Sequence, residues 1–166
     1  MERIPIHGGS LRLFIRKAGV TISPAVGELL AEEKAEGMDG FAYYADFGAR
    51  VAELKEELVA LLEDCKQNGQ KVAVYGASAK GATLLNFFGI GGKLLAYVVD
   101  RSTVKQGMFT PGTHLPIYAP EKLLSDFPPY TLLLVWNFAE EVMAQQHAYR
   151  ERGGKFILPV PEVKIV

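Results

Sequence analysis

Residues Lys71 to Gly81 read K-V-A-V-Y-G-A-S-A-K-G. An apolar β-type run meets a glycine, then a lysine and a second glycine, and leads into the helical apolar pattern Ala82, Leu84, Leu85, Phe88. A strand that turns at a glycine directly into a helix brings free backbone N–H groups and the positive helix end to one point, where anions and above all phosphates bind. Lys80 adds a positive charge beside those donors. The dinucleotide fingerprint G-x-G-x-x-G is matched in part: Gly76 and Gly81 hold its first and third positions, and Ser78 stands where the second glycine belongs. That glycine lets a pyrophosphate approach the backbone, so Ser78 argues against standard NAD binding. Gly76, Ala77, Ser78, Ala79, Lys80 and Gly81 are therefore read as a phosphate or nucleotide turn, the alternative being a plain strand-to-helix connection.

Downstream of this stretch, strands and helices alternate. The pattern predicts a helix over 79–88, a strand over 94–99, a long polar loop over 101–114 and a strand over 115–118. A helix led by Pro120, a strand over 131–136, a helix over 139–152 and a last strand over 155–159 follow. Alternating strands and helices of this kind mean βαβ units and a parallel sheet. The expected fold class is α/β: a Rossmann-like doubly wound, mostly parallel sheet with helices on both faces.

Upstream, Ser10 to Lys17 (S-L-R-L-F-I-R-K) alternates in period two and is read as a strand. Ser23-Pro24 opens a helix that Gly37 ends. Asp39 is expected to cap a long second helix reaching about Asn68, with Phe41, Tyr44, Phe47, Val51, Leu54, Leu58, Leu61 and Cys65 as a buried stripe. The aromatics of that stripe are read as core, and Cys65 as an inert buried thiol. The chain is thus expected to form a single domain over 1–166. Residues 1–69 supply an N-terminal strand and helical pair, and 70–166 the Rossmann-like nucleotide-binding half.

Bulk properties narrow the function. With 166 residues, 49% hydrophobic and 22% charged, the chain has material for one ordinary core. A net charge of −1 provides no broad basic field for nucleic acid or an anionic membrane, so a phosphate contact must be local. One cysteine rules out an internal disulfide and a multi-cysteine metal site, and three histidines make a metal site an unfavoured reading; none is expected. No stretch reads as a signal peptide or a membrane span, which fits a cytoplasmic protein.

Ligands of doubly wound sheets sit outside the carboxyl ends of the strands. Asp100, 24 residues after Gly76, stands where a ribose-binding acid belongs or serves as a helix cap or loop acid. Arg101, Lys105 and Gln106 at the same edge reach phosphate or sugar oxygens or decorate a solvated loop. Asn137 bonds a base or sugar hydroxyl, or caps the next helix. His114 lies in a long loop rich in turn signals, of a length usually kept for function or disorder. His7 precedes Gly8, Gly9 and Ser10, where the glycines allow close backbone approach to another segment or to a ligand. His7 and His114 are the candidates for a general base, neither with a partner visible in the sequence, and the catalytic residues remain unassigned.

Taken together, H-G-G-S-L-R (His7–Arg12), Y-G-A-S-A-K-G (Tyr75–Gly81) with L-L-N (Leu84–Asn86), V-D-R-S-T-V-K-Q-G (Val99–Gly107), P-G-T-H-L-P-I (Pro111–Ile117), W-N (Trp136-Asn137) and G-G-K-F-I-L-P-V-P (Gly153–Pro161) resemble the C-terminal domain of the S-adenosylmethionine-dependent sugar C-methyltransferases. The resemblance implies an enzyme of three parts: a zinc-binding domain, a central S-adenosylmethionine-binding domain, and a C-terminal Rossmann-like domain. This last part helps to anchor a nucleotide-diphosphate sugar, typically a thymidine-diphosphate keto-deoxysugar. It further implies deprotonation next to the sugar ketone and attack of the enolate on the sulfonium methyl. Within the chain it implies that Gly76–Gly81 cradles the diphosphate and that Asp100, Lys105 and Gln106 contact the nucleotide. His7, Gly8, Gly9, Ser10 and Arg12 would then lie at the domain junction near the sugar.

This chain lacks the cysteine-rich part and the central domain with its methyl-donor site. It is therefore expected to bind and not to methylate alone, either as an excised domain or as a free-standing relative working with a partner chain. The rival expectations are an autonomous Rossmann-type enzyme using NAD or S-adenosylmethionine at Gly76–Gly81, and a non-enzymatic interaction module.

Overall fold

A computed structural model describes residues 1–6, 9–19 and 21–166. The chain forms two compact units, Met1–Val51 and Ala52–Val166. The division falls between residues 51 and 52, within the helix that runs from Phe47 to Gln67.

In the first unit, β1 (Glu2–Ile4) pairs antiparallel with β2 (Ser10–Arg12), Arg3 opposite Leu11. The strand expected over Ser10–Lys17 stops at Arg12, because its partner β1 offers only three residues to pair with. Leu13, Phe14 and Ile15 are exposed beyond that end. Helix α1 (Pro24–Ala35) starts as expected, with Ser23 at the N-cap and proline in the first turn. Gly37 follows it at φ +77°, a left-handed conformation that ends helices at little cost to glycine.

The long second helix is broken. Helix α2 (Phe41–Ala45) is capped by Gly40, not Asp39, and α3 (Phe47–Gln67) begins anew after Asp46. The expected aromatic core is absent: Phe41, Tyr44 and Phe47 are exposed, and burial on α3 begins only at Leu58, Leu62 and Cys65. Periodicity says that residues share a face, and the first unit offers that face nothing to pack on.

The second unit follows the sequence closely. Strand β3 (Val72–Tyr75), helix α4 (Ala79–Phe88), β4 (Val98–Val99), β5 (Ile117–Tyr118), α5 (Lys122–Asp126) and β6 (Tyr130–Leu133) lead to a 3-10 turn at Trp136–Phe138. Helices α6 (Ala139–Gln145) and α7 (His147–Glu151) then precede β7 (Lys155–Leu158) and β8 (Lys164–Ile165). The single helix expected over 139–152 is interrupted at Gln146, whose φ of −98° and ψ of +30° leave the helical region. The strand expected to reach Trp136 ends at Leu133.

The sheet order is β5-β4-β3-β6-β7-β8. Every pairing from β5 to β7 is parallel, and β8, which the sequence did not suggest, is antiparallel to β7. The chain winds outward from β3 through β4 and β5, then returns to β6 on the other side. The switch in strand order therefore lies between β3 and β6, where ligands of doubly wound sheets bind. All four residues of β3 are buried, as expected of a central strand covered on both faces. On one face Ala73, Tyr75, Tyr97, Val99, Leu133, Tyr149 and Phe156 join one apolar cluster. Among the described residues no helix is long and apolar enough to cross a membrane.

Candidate functional site

Gly76 leaves β3 at φ +96°, and a Cβ there would stand 2.7 Å from Val135 Cγ1. Both facts call for glycine. The Ala77 N–H then donates to Asp100 Oδ2 at 2.7 Å. Ser78 is the N-cap of α4: its Oγ accepts from the Gly81 N–H at 3.0 Å and donates to the Leu134 carbonyl at 3.1 Å. A glycine here would lose both bonds, so the departure from the dinucleotide fingerprint has a structural use. At Gly81 a Cβ would come within 2.7 Å of Leu134 Cβ, so the third glycine does provide close helix-to-sheet packing.

The first turn of α4 has four N–H groups without intrahelical acceptors. Ser78 satisfies that of Gly81, and the N–H groups of Ala79 and Lys80 precede it at the positive end of the helix. The Lys80 ammonium donates to Asn137 Oδ1 at 2.9 Å and lies 5.0 Å from the centroid of the Trp136 ring. Lys80 on one side of the switch and Trp136-Asn137 on the other thus meet across it.

Asp100 ends β4 and is the hub of the loop after it. Besides Ala77, its carboxylate accepts from the Ser102 N–H at 2.8 Å and meets the Lys105 ammonium at 3.4 Å. Lys105 also donates to the Ala77 carbonyl at 2.8 Å, and Gln106 Nε2 to the Asp100 carbonyl at 3.0 Å. Arg101 points instead toward α6, bonding Gln145 Oε1 at 3.2 Å beside Glu141.

Two hollows flank Gly76. One, of about 230 Å3, has an apolar wall of Ala79, Ala82, Met108, Phe109 and Pro111 with Lys105 at its edge. The other, also of about 230 Å3, is lined by Tyr75, Asp100, Arg101, Phe138, Glu141 and Gln145. Sequence reasoning had not singled out Met108, Phe109 or Tyr75. Only a strand-end position for Tyr75, and proximity to Pro111-Gly112 for the other two, marked them.

The sequence matches the C-methyltransferase C-terminal domain family over residues 5–161. This chain belongs to that family. The C-methyltransferase NovU of Streptomyces niveus is 36% identical over 163 residues, covering 97% of this chain and 39% of NovU. The domain thus spans well under half the length of the curated relative it matches. Among solved structures, UDP-D-quinovosamine 4-dehydrogenase from Vibrio fischeri aligns with a TM-score of 0.43 at 19% identity, over 58% of this chain and 93% of that one.

Within this C-methyltransferase C-terminal domain, the residues from Gly76 to Gly81 with Asp100, Arg101, Lys105, Gln106 and Asn137 gather at one sheet edge. His114 does not join them. It sits exposed at φ +53° in a turn that docks on the last turns of α4, where Asn86 Nδ2 donates to the Pro111 carbonyl at 3.1 Å. Asn86 lies seven residues along α4 from Ala79, about 10 Å from the glycine turn at 1.5 Å per residue. Of the junction residues, Gly9 precedes β2, Ser10 Oγ donates to the Ile6 carbonyl at 3.0 Å, and Arg12 pairs with Glu2 at 3.4 Å. His7 and Gly8 lie outside the described residues.

Proposed function

We propose that this domain anchors a nucleotide-diphosphate sugar for a sugar C-methyltransferase, with a thymidine-diphosphate keto-deoxysugar as its ligand. The Lys80 ammonium, set at the start of α4 and steered across the switch by Asn137 and Trp136, carries this reading. It offers a diphosphate a cation beside the free N–H groups of the helix end. NovU is a C-methyltransferase with a much longer chain, which supports placing the methyl donor and the proton-abstracting groups outside the present sequence. S-adenosylmethionine would supply an electrophilic methyl group to the carbon next to the sugar ketone. The domain's own work is to bind, orient and hold the nucleotide end, and alone it does not methylate.

A dinucleotide fits the turn poorly. Ser78 stands where the fingerprint has its second glycine, and the Asp100 carboxylate occupies the Ala77 N–H with Lys105 beside it, which leaves any diphosphate the Ala79–Lys80 end of the turn. The carboxylate oxygens are also committed, so Asp100 serves the loop rather than a ribose. Lys105 and Gln106 then act by shaping the edge around Ala77. This disfavours an autonomous NAD enzyme.

An interaction-module reading has one observation on its side. No described residue of Met1–Val51 is buried, and Ile15, Phe41 and Phe47 stand exposed there. Patches of that kind accompany binding surfaces.

Parallel calorimetric titrations with thymidine diphosphate, S-adenosylmethionine and NAD test these readings. Heat from thymidine diphosphate alone is expected. Binding of NAD or S-adenosylmethionine alone would replace the anchoring role with an autonomous cofactor site, and silence from all three would leave the interaction module.

A further inference from the structure

Strand β2 is shorter than the sequence pattern that contains it. Ser10 to Lys17 alternates in period two without a glycine or proline, yet only Ser10–Arg12 is paired. Among the described residues, Leu13 to Lys17 make no backbone hydrogen bond. Leu13 and Phe14 are each 63% exposed, and Ile15 is 90% exposed. A run of unpaired N–H and C=O groups between apolar side chains is a template for another strand.

The register says where such a strand would come from. Glu2 stands opposite Arg12, Arg3 opposite Leu11 and Ile4 opposite Ser10. In an antiparallel pair each step back along β1 is a step forward along β2. Met1 therefore falls opposite Leu13, and four residues placed before Met1 would fall opposite Phe14, Ile15, Arg16 and Lys17. The family matched here is a C-terminal domain, and only 39% of NovU lies inside the match. A longer member of the family thus has polypeptide that leads into β1.

We propose that in a longer protein of this family the residues leading directly into β1 lengthen it along Leu13–Lys17. Cross-strand pairing sets the chemistry of that segment. Glu2 meets Arg12 across the pair at 3.4 Å, so a carboxylate fits opposite Arg16, at the third residue before Met1. An apolar residue fits opposite Ile15, on the face that Ile15 shares with Leu11 and Leu13. The segment would fasten this domain to the preceding part through backbone hydrogen bonds. Nothing in this inference depends on the nucleotide-sugar reading.

Amide hydrogen exchange across residues 13–17 tests it in three proteins. They are the 166-residue chain, the same chain with Thr-Glu-Val-Thr ahead of Met1, and a chimaera with the part of NovU outside the match joined ahead of Met1. In the chain alone these amides should exchange at the rate of an unstructured peptide. In both extended proteins alternate amides should slow by at least about tenfold, the effect of one or two net hydrogen bonds. A Gly-Ser-Gly-Ser extension should change nothing, and Arg16→Glu should return part of the protection gained with Thr-Glu-Val-Thr. A folded chimaera without protection overturns the proposal, and if the chimaera does not fold, the Thr-Glu-Val-Thr chain decides. Equal protection by Gly-Ser-Gly-Ser would refute the register argument. Protection already present in the 166-residue chain, together with sedimentation as a dimer, would give the strand to a second copy and overturn the proposal.

Discussion

The Lys80 ammonium donates to Asn137 Oδ1 at 2.9 Å, from the first turn of α4 to the 3-10 turn after β6. These residues stand 57 positions apart in sequence and come from the two sides of the strand-order switch. The hydrogen bond and the Trp136 ring, 5.0 Å away, hold an exposed lysine in place and reduce its rotamer freedom.

Lys80→Ala should weaken thymidine diphosphate binding by about 1–3 kcal/mol, the range for hydrogen bonds to charged groups. Stability should hardly change, since interactions of exposed lysines contribute little to folding. Asn137→Ala should shift affinity in the same direction and by less, since the ammonium remains. Calorimetry checks both, and unchanged affinity in Lys80→Ala would remove that residue from the site.

Asp100→Ala removes the acceptor of two backbone N–H groups, Ala77 and Ser102, and leaves Lys105 without its carboxylate. A destabilisation of about 1–3 kcal/mol is expected from the unsatisfied donors. Cleavage by a protease within 101–109 should become faster. An unaltered denaturation curve and cleavage pattern would show that Asp100 does not hold the loop.

Gly81→Val forces a branched side chain into a space where even a Cβ meets Leu134 at 2.7 Å. A loss of about 1–3 kcal/mol follows from overpacking. Ser78→Ala removes the cap and the bond to Leu134, with a loss of about 0.5–2 kcal/mol. Urea denaturation measures both, and near-wild-type midpoints would refute the packing and capping roles.

Tyr149 and Tyr97 make a contrasting pair of buried phenols. Tyr149 accepts from Thr131 Oγ1 and donates to the Pro128 carbonyl, each at 2.9 Å, whereas the Tyr97 hydroxyl has no partner among the described residues. Tyr149→Phe should therefore cost about 1–3 kcal/mol, and Tyr97→Phe should be neutral or stabilising.

Burial raises the pKa of both phenols. Above about pH 10 the unfolded chain loses these protons and the folded chain keeps them. The unfolded state then binds fewer protons, and stability falls as pH rises. Denaturant midpoints measured below and above about pH 10 should show this decline, and Tyr97→Phe should flatten it. A slope unchanged by Tyr97→Phe would show that Tyr97 does not titrate between the two states.

Much of the second unit was legible. The glycine turn, α4 and its ends, and the parallel alternation follow from residues 71–159, because a strand–turn–helix rests on contacts close in sequence and on a two-sided apolar run that only a central strand tolerates. In the first unit the same period rules failed. Leu13, Ile15, Phe41 and Phe47 fit a strand face and a helix stripe. Whether such a face is buried depends on what stands opposite, and pattern carries no record of that.

The sequence by itself determined the α/β class, the position of the glycine turn at 76–81, the cluster of polar residues after β4, and the likeness to sugar C-methyltransferase C-terminal domains. Tertiary structure alone decided the use of each group. Asp100, well placed by number for a ribose, spends its oxygens on Ala77, Ser102 and Lys105. Ser78 caps a helix, Lys80 reaches Asn137, and the Tyr75 ring joins the apolar core. Local propensity and periodicity are short-range quantities, so they place a side chain on an element. Its hydrogen-bond partner comes from a strand or loop tens of residues away, and only the folded sheet brings the two within 3 Å.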